Sequence, residues 1–382
     1  LENLYKHYRK VNFKRKVLVV ARLRVLILLL GSCLWLLTTV AVSASDEGLR
    51  LAILFKQSFA NWDYNQDGVL TKDELDQALQ NPAIKGNQAA ALAAIKIYSR
   101  AIWKEENSSQ TFTLSDLCPA SSSTTSNGAA TALPKLVSLF NTYQKKISNE
   151  SPQLFSDGRP HIEEIRQGKT GDCYFLATIG GLAYHTPQRV IDMITRNYDG
   201  SYAVTFPRHQ PIAVPAPTDA EIACYSDAGE DGVWLHVCEK AYAVYKNRKT
   251  EKDDTEPLEV VIHGGSGARM LMFMTGNSCS RYPTKTTSIE QLRQELTDAL
   301  SNHRIVNTGT SGHCLTILEY NPSTDIVTVW NPWGTTGNYS TVNQQMNHGV
   351  FSMPLTDLQN YFVSILPEKA RPWTVADFKR FR

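Results

Sequence analysis

A helix that opens on a cysteine constrains this chain more than any other feature. From Gln167 to Ala177 the sequence reads QGKTGDCYFLA. Phe175, Leu176, Ile179, Leu182 and Ala183 follow at helical spacing as one apolar stripe, which predicts a helix with Cys173 in its first turn. Unpaired backbone N–H groups and the positive dipole end favour a thiolate there, and cysteines so placed have pKa values of roughly 3.5 to 7.5. Gly168 and Gly171 are expected to let the preceding loop turn tightly and approach a substrate. Gln167 can offer its side-chain amide, beside the Cys173 backbone N–H, to an oxyanion. An isolated cysteine of this kind is also compatible with an inert buried residue; the flanking pattern favours a nucleophile.

A thiol nucleophile needs a base, and GHCLTILEYNPSTDIVTVWNPWG, residues 312–334, predicts a hairpin that supplies one. Asn321 to Asp325 is turn chemistry between runs rich in Ile, Val, Leu and Thr. Pairing Tyr320 with Ile326 sets Asn331 opposite Leu315 and diagonal to His313. Both then project from the face that carries Leu315, Ile317, Val327 and Val329, within reach of one another. Asn331 can therefore hold the imidazole in the orientation that base catalysis needs, with Trp333 covering the pair. A slip of one residue would place them on opposite faces.

Four ordered blocks extend this pattern: QGKTGDCYFLATIGGLA, GVWLHVCEKAYAVYKN (232–247), HGGSGARMLMFMTG (263–276), and SGHCLTILEY with NPWG. Over roughly 154–367 they resemble the catalytic core of the calpain family of cysteine proteases. The resemblance implies an α+β, papain-like fold of two subdomains, one mainly helical with Cys173, the other β-rich with His313 and Asn331. It implies a cysteine endopeptidase acting on proteins, with Cys173, His313, Asn331 and Gln167 as catalytic residues. Tyr174 stands where the family usually has Trp, and Cys314 where a small residue is usual. Glu164 is a carboxylate where the first calcium site of such cores usually has one. The alternative is a catalytically silent domain serving as a calcium-dependent protein-binding module. An acyl transferase of the transglutaminase type would normally carry an aspartate in place of Asn331.

Calcium enters independently through DYNQDGVLTKDE, residues 63–74. Asp63, Asn65, Asp67, the Val69 carbonyl, Thr71 and Glu74 occupy the ligand positions of an EF-hand loop, and Gly68 its sharp turn. Leu70 is the apolar residue that pairs with a neighbouring hand. The segment 105–116 keeps an outline of such a neighbour, with Phe112 aligned to Leu70 and Asp116 to Glu74.

The predicted organisation is a signal peptide or anchor at 1–44, an all-α EF-hand region at 46–118, and a linker at 119–133. A connecting helix at 134–151, the catalytic domain at 152–367 and a basic tail at 368–382 follow. Residues 25–42 are apolar and follow a basic segment, so an exported protein, secreted or periplasmic, is expected after cleavage at Ala44; retention of the run would make it a membrane anchor. Without 1–44, Lys plus Arg falls from 39 to 31 and Asp plus Glu from 37 to 36, a net charge of about −5. No basic stripe with interleaved aromatics points to nucleic acid. Six cysteines remain, without disulfide or zinc spacing. The sequence sets no oligomeric state. The flexible linker implies that calcium on loop 63–74 need not be felt at Cys173.

Overall fold

Helices dominate the first half of the chain and strands gather in the second. The computed structural model describes residues 46–102, 111–118, 129–250 and 257–381. The expected export segment therefore lies outside the described residues, as do 105–110 of the second loop and 119–128 of the linker. Among the described residues no helix is long and apolar enough to cross a membrane.

The N-terminal helix, residues 46–62, leads into the 63–74 loop, a short strand Val69–Thr71 and the helix Lys72–Leu79. Thr71 caps that helix reciprocally with Glu74, satisfying two free N–H groups. The strand pairs antiparallel with Thr111–Thr113, setting Leu70 opposite Phe112. Between these strands runs the helix Gly86–Ile102, and its alanines 89–91, 93 and 94 are fully buried. Small side chains let neighbouring helices approach it from several directions.

That burial joins the two halves of the chain through one core. Phe55, Trp62, Leu70, Leu92 and Leu136 share one hydrophobic core with Ala220, Ala223, Tyr225, Leu258 and Val261. Polar ties cross the same boundary: Thr218 Oγ1 donates to the Leu79 carbonyl at 2.5 Å, and Gly86 N–H to Asp219 at 2.8 Å. Lys96, 1% exposed, bridges Asp76 of the Lys72–Leu79 helix and Glu259. Glu259 also holds Arg100. A buried lysine without such partners would be costly. The helix expected to begin at 134 starts at Ala129 and runs to Asn149, with Pro134 inside it, so the linker is shorter than expected.

The C-terminal half is built on a seven-stranded sheet. Its order is Val350–Pro354, Ile326–Trp330, His313–Asn321, Val306–Thr310, Ser364–Pro372 and Asn277–Cys279, with Tyr282–Pro283 also pairing with Ser364–Pro372. One face packs Leu315, Ile317, Val327 and Val329 against the helices Ile289–Ser301 and Leu355–Tyr361. Leu318, Trp330 and Ile305 join the core of the helices Cys173–His185, Trp234–Thr250 and Gly267–Thr275.

Two local expectations need correction. The Cys173 helix is buried from Tyr174 to Ala183 and not along one stripe. Gly180 leaves room for the Trp330 ring, so the helix lies directly on the sheet. In the hairpin, Ile326 pairs with Asn321 and not with Tyr320, but a bulge between Thr328 and Val329 shifts the register to Val329 opposite Ile317. The expected alignment is thus recovered at the end that carries His313 and Asn331.

Candidate active site

Cys173 begins its helix with its side chain half-buried beside the sheet, and its Sγ accepts a hydrogen bond from Cys314 N–H at 3.4 Å. Burial pushes the thiol above its ordinary range, and the charge of Asp172 adds to this, against the opposing Cys314 N–H. The helix-start effect expected to lower it is outweighed. Burial likewise lowers the His313 imidazole, with the Asn331 bond opposing. Burial thus works against the charged form of both side chains.

His313 Nε2 lies 2.9 Å from Asn331 Oδ1. The same oxygen accepts Trp333 N–H at 3.1 Å, which fixes it as the acceptor end of the amide and makes Nε2 the donor. Nδ1 is left as the basic nitrogen. Asn331 is fully buried and anchored by its N–H to the Gly349 carbonyl. Trp333 stacks on the imidazole at 4.9 Å between ring centroids.

The loop before Cys173 is held by a carboxylate that sequence reasoning passed over. Asp172, fully buried, accepts from Thr170 Oγ1 at 2.7 Å, Gln167 Nε2 at 3.1 Å and Ser226 Oγ at 2.7 Å. Gln167 Nε2 also donates to the Thr170 carbonyl at 2.7 Å. Both amide hydrogens are thus engaged within the loop, and the reverse orientation would set Gln167 Oε1 against two acceptors. Burial, then the Asp172 charge, pushes the Glu239 carboxyl well up. The available signal was position: Asp172 is the residue just before Cys173.

Gly168 and Gly171 serve close approach, since neither has a positive φ. A Cβ on Gly168 would lie 2.7 Å from the Tyr225 carbonyl oxygen, and one on Gly171 would collide with that of Ile262. Gly171 N–H in turn donates to Ile262 O at 3.0 Å.

Cys173, His313 and Gln167 line one cleft with His263 to Ala268 and with Arg281, Val363, Leu366, Arg380 and Phe381. The last two come from the tail, which sequence reasoning gave no role. The tail forms part of the strand Ser364–Pro372 and the short helix Val375–Arg380.

The profile of the calpain family cysteine protease domain matches residues 140–366. The chain belongs to the calpain family of cysteine proteases. No curated protein sequence matches it. Calpain-family membership identifies a cysteine-type peptidase domain whose substrates are proteins. The matched stretch contains Cys173, His313, Asn331 and Gln167, and ends before Arg380 and Phe381.

The loop 63–74 lies outside the matched stretch. Its oxygens converge through its own backbone: Asp63 accepts Asp67 N–H and Gly68 N–H at 3.2 and 2.9 Å, and Asp67 accepts Val69 N–H at 2.9 Å. Glu74 reaches back to Asn65 N–H at 3.3 Å and Thr71 N–H at 2.9 Å. Gly68 adopts φ +82°, where a side chain would strain the turn. Glu164 ends a short 3₁₀ turn and is only half-buried. It is not part of the grouping nearby, where Asp157, His161 and Asp231 bring ligand atoms within 4.8 Å of one another.

Proposed function

We propose that the protein is a calpain-like cysteine endopeptidase of papain-like two-part layout, with a calcium-binding EF-hand loop at 63–74 and an exported location. The observation that carries the enzymatic reading is the His313–Asn331 hydrogen bond, covered by Trp333, at the edge of the cleft that holds Cys173.

The thiol proton of Cys173 passes to His313 Nδ1 as Sγ bonds to the peptide carbonyl carbon, whose oxygen takes the negative charge. Collapse of that intermediate breaks the C–N bond, and His313 returns the proton to the leaving amine. Water, deprotonated by His313, then hydrolyses the thioester. Asn331 keeps the ring in one tautomer throughout. The Cys173 N–H and the Gln167 amide would receive the oxyanion, and for Gln167 this requires release of its bond to Thr170 or Asp172. That commitment is also what favours the second reading, a silent binding module.

Asp63, Asn65, Asp67, Val69, Thr71 and Glu74 present oxygen donors only, the set a hard cation takes, and Gly68 provides the turn such a loop requires. Bound calcium would supply charge that ties the two flanking helices together.

Mass spectrometry of casein incubated with the protein separates the readings. Wild type should generate internal cleavages and Cys173→Ala none, while both melt at similar temperatures, because loss of one sulfur at a half-buried site opens little cavity. Equal digestion by both proteins would remove Cys173 as the nucleophile.

A further inference from the structure

Two arginines line the cleft, and one of them comes from beyond the family-matched stretch. After residue 366 the chain completes its strand and turns into the helix Val375–Arg380. Trp373, Phe378 and Phe381 pack against the core of the catalytic helices. Arg208 covers the Trp373 ring at 4.2 Å, and Arg269 lies over Phe378 at 5.2 Å. A reciprocal cap between Thr374 and Asp377 and an Arg371–Asp377 ion pair at 2.9 Å brace the short helix. The tail is therefore docked, and its docking delivers Arg380 and Phe381 to the cleft.

Arg281 reaches the same cleft from the turn between Asn277–Cys279 and Tyr282–Pro283, two strands that pair with the strand leading into the tail. Four arginines of this half have carboxylate partners, Arg189 with Glu368, Arg293 with Asp325, Arg304 with Asp298 and Arg371 with Asp377, while Arg208 and Arg269 lie over aromatic rings. Arg281 and Arg380 are exposed and have no such partner among the described residues. The nearest acid on the Arg380 helix, Asp377, is committed to Arg371 and the cap. Among the described residues no aspartate or glutamate lines the cleft. A groove of one charge sign raises the local concentration of ligands of the other sign and discriminates among them.

We infer that Arg281 and Arg380 are specificity-determining residues that select substrates with an aspartate or glutamate a few residues to one side of the scissile bond. The inference rests on the protease reading for the word substrate, but the selection itself is a property of binding. Exposed ion pairs are each worth about twofold to fivefold in affinity, and the two together are expected to give about tenfold.

Paired fluorogenic peptides, identical except for Glu or Gln moved through the three positions on each side of the cleavable bond, test this. The readout is the Glu-to-Gln ratio of kcat/KM within one protein, so loss of folded material cancels. Wild type should show a ratio of about ten at one or two adjacent positions, shrinking in high salt as exposed charges are screened. Arg281→Gln and Arg380→Gln should each lower it about threefold, and the double variant should bring it near one. A wild-type ratio near one at every position, or a ratio that survives in the double variant, overturns the inference. Fluorescence anisotropy with Cys173→Ala and the same peptides reads binding without cleavage. If wild type cleaves nothing while Cys173→Ala still prefers the Glu peptide through the two arginines, the protease reading falls and the selection stands. If that preference is missing too, both fall.

Discussion

Loop 63–74 and the protease cleft differ in how far their residues must travel to meet. All six oxygen donors of the loop lie within twelve consecutive residues, and its own backbone N–H groups gather them. The cleft collects Gln167 and Cys173 from a loop and helix, His313 from a strand and Arg380 from the tail, and Asn331, just past the neighbouring strand, bonds His313 from behind. The loop is therefore a property of local sequence, whereas the cleft is a property of the assembled fold. Disturbing packing far from either should be felt at the cleft first.

The largest effect expected is on the base. His313→Ala should reduce kcat/KM by about 10²- to 10⁴-fold, the range of general acid–base catalysis. Asn331→Ala should cost less, because the imidazole can still accept a proton once its orientation is loosened. An Asn331→Ala loss equal to that of His313→Ala would show that the orienting bond is as indispensable as the base. Calcium affinity of the loop should be the same in both variants.

Next comes the buried ion network that joins the two regions. Burial opposes ionisation of Glu259, but Arg100 and Lys96 outweigh it and hold the carboxyl down at about 2. A depressed carboxyl contributes stability above its unfolded pKa of about 4.3, and that contribution disappears as pH falls from there to about 2. Glu259→Gln should lower stability at pH 7 by about 3 kcal/mol and flatten the acid limb of the unfolding profile in that window. Chemical denaturation at pH 7, 4 and 2.5 checks it; an unchanged difference between wild type and variant across the series would discard the assignment.

The smallest change should be the most local. Glu74→Gln removes one charged, bidentate ligand from the loop, and calorimetry should show calcium binding weakened by about tenfold or more. Peptide cleavage measured without calcium should hardly move. A large loss there would mean that Glu74, through its cap on the Lys72–Leu79 helix, supports the cleft as well, and the contrast between local and assembled sites would narrow.

Much of the geometry of both regions was legible because it depends on residue type and alternation at short range. The Leu70 and Phe112 alignment reads directly from loop position, and the structure sets the two opposite one another. His313 and Asn331 follow from alternation along a hairpin, although the assumed pairing of Tyr320 with Ile326 is off by one residue and only the bulge before Val329 restores it. Three things were not legible. Cys173 lies where dipole arguments lower a thiol pKa, yet burial and Asp172 raise it. Gln167 is of the right type and position for an oxyanion donor, but its hydrogens are already spoken for. The helix Gly86–Ile102 has alanines where an amphipathic pattern would alternate, so nothing in its periodicity shows that both halves bury against it.

The core shared across that helix makes the peptide connection between the halves dispensable for holding them together. A single cut anywhere between residues 118 and 129 would leave two fragments that still travel as one particle. Each would keep its partner's apolar surface covered, with Lys96 and Arg100 of one fragment still neutralised by Glu259 of the other. A nicked chain would show two bands only after denaturation.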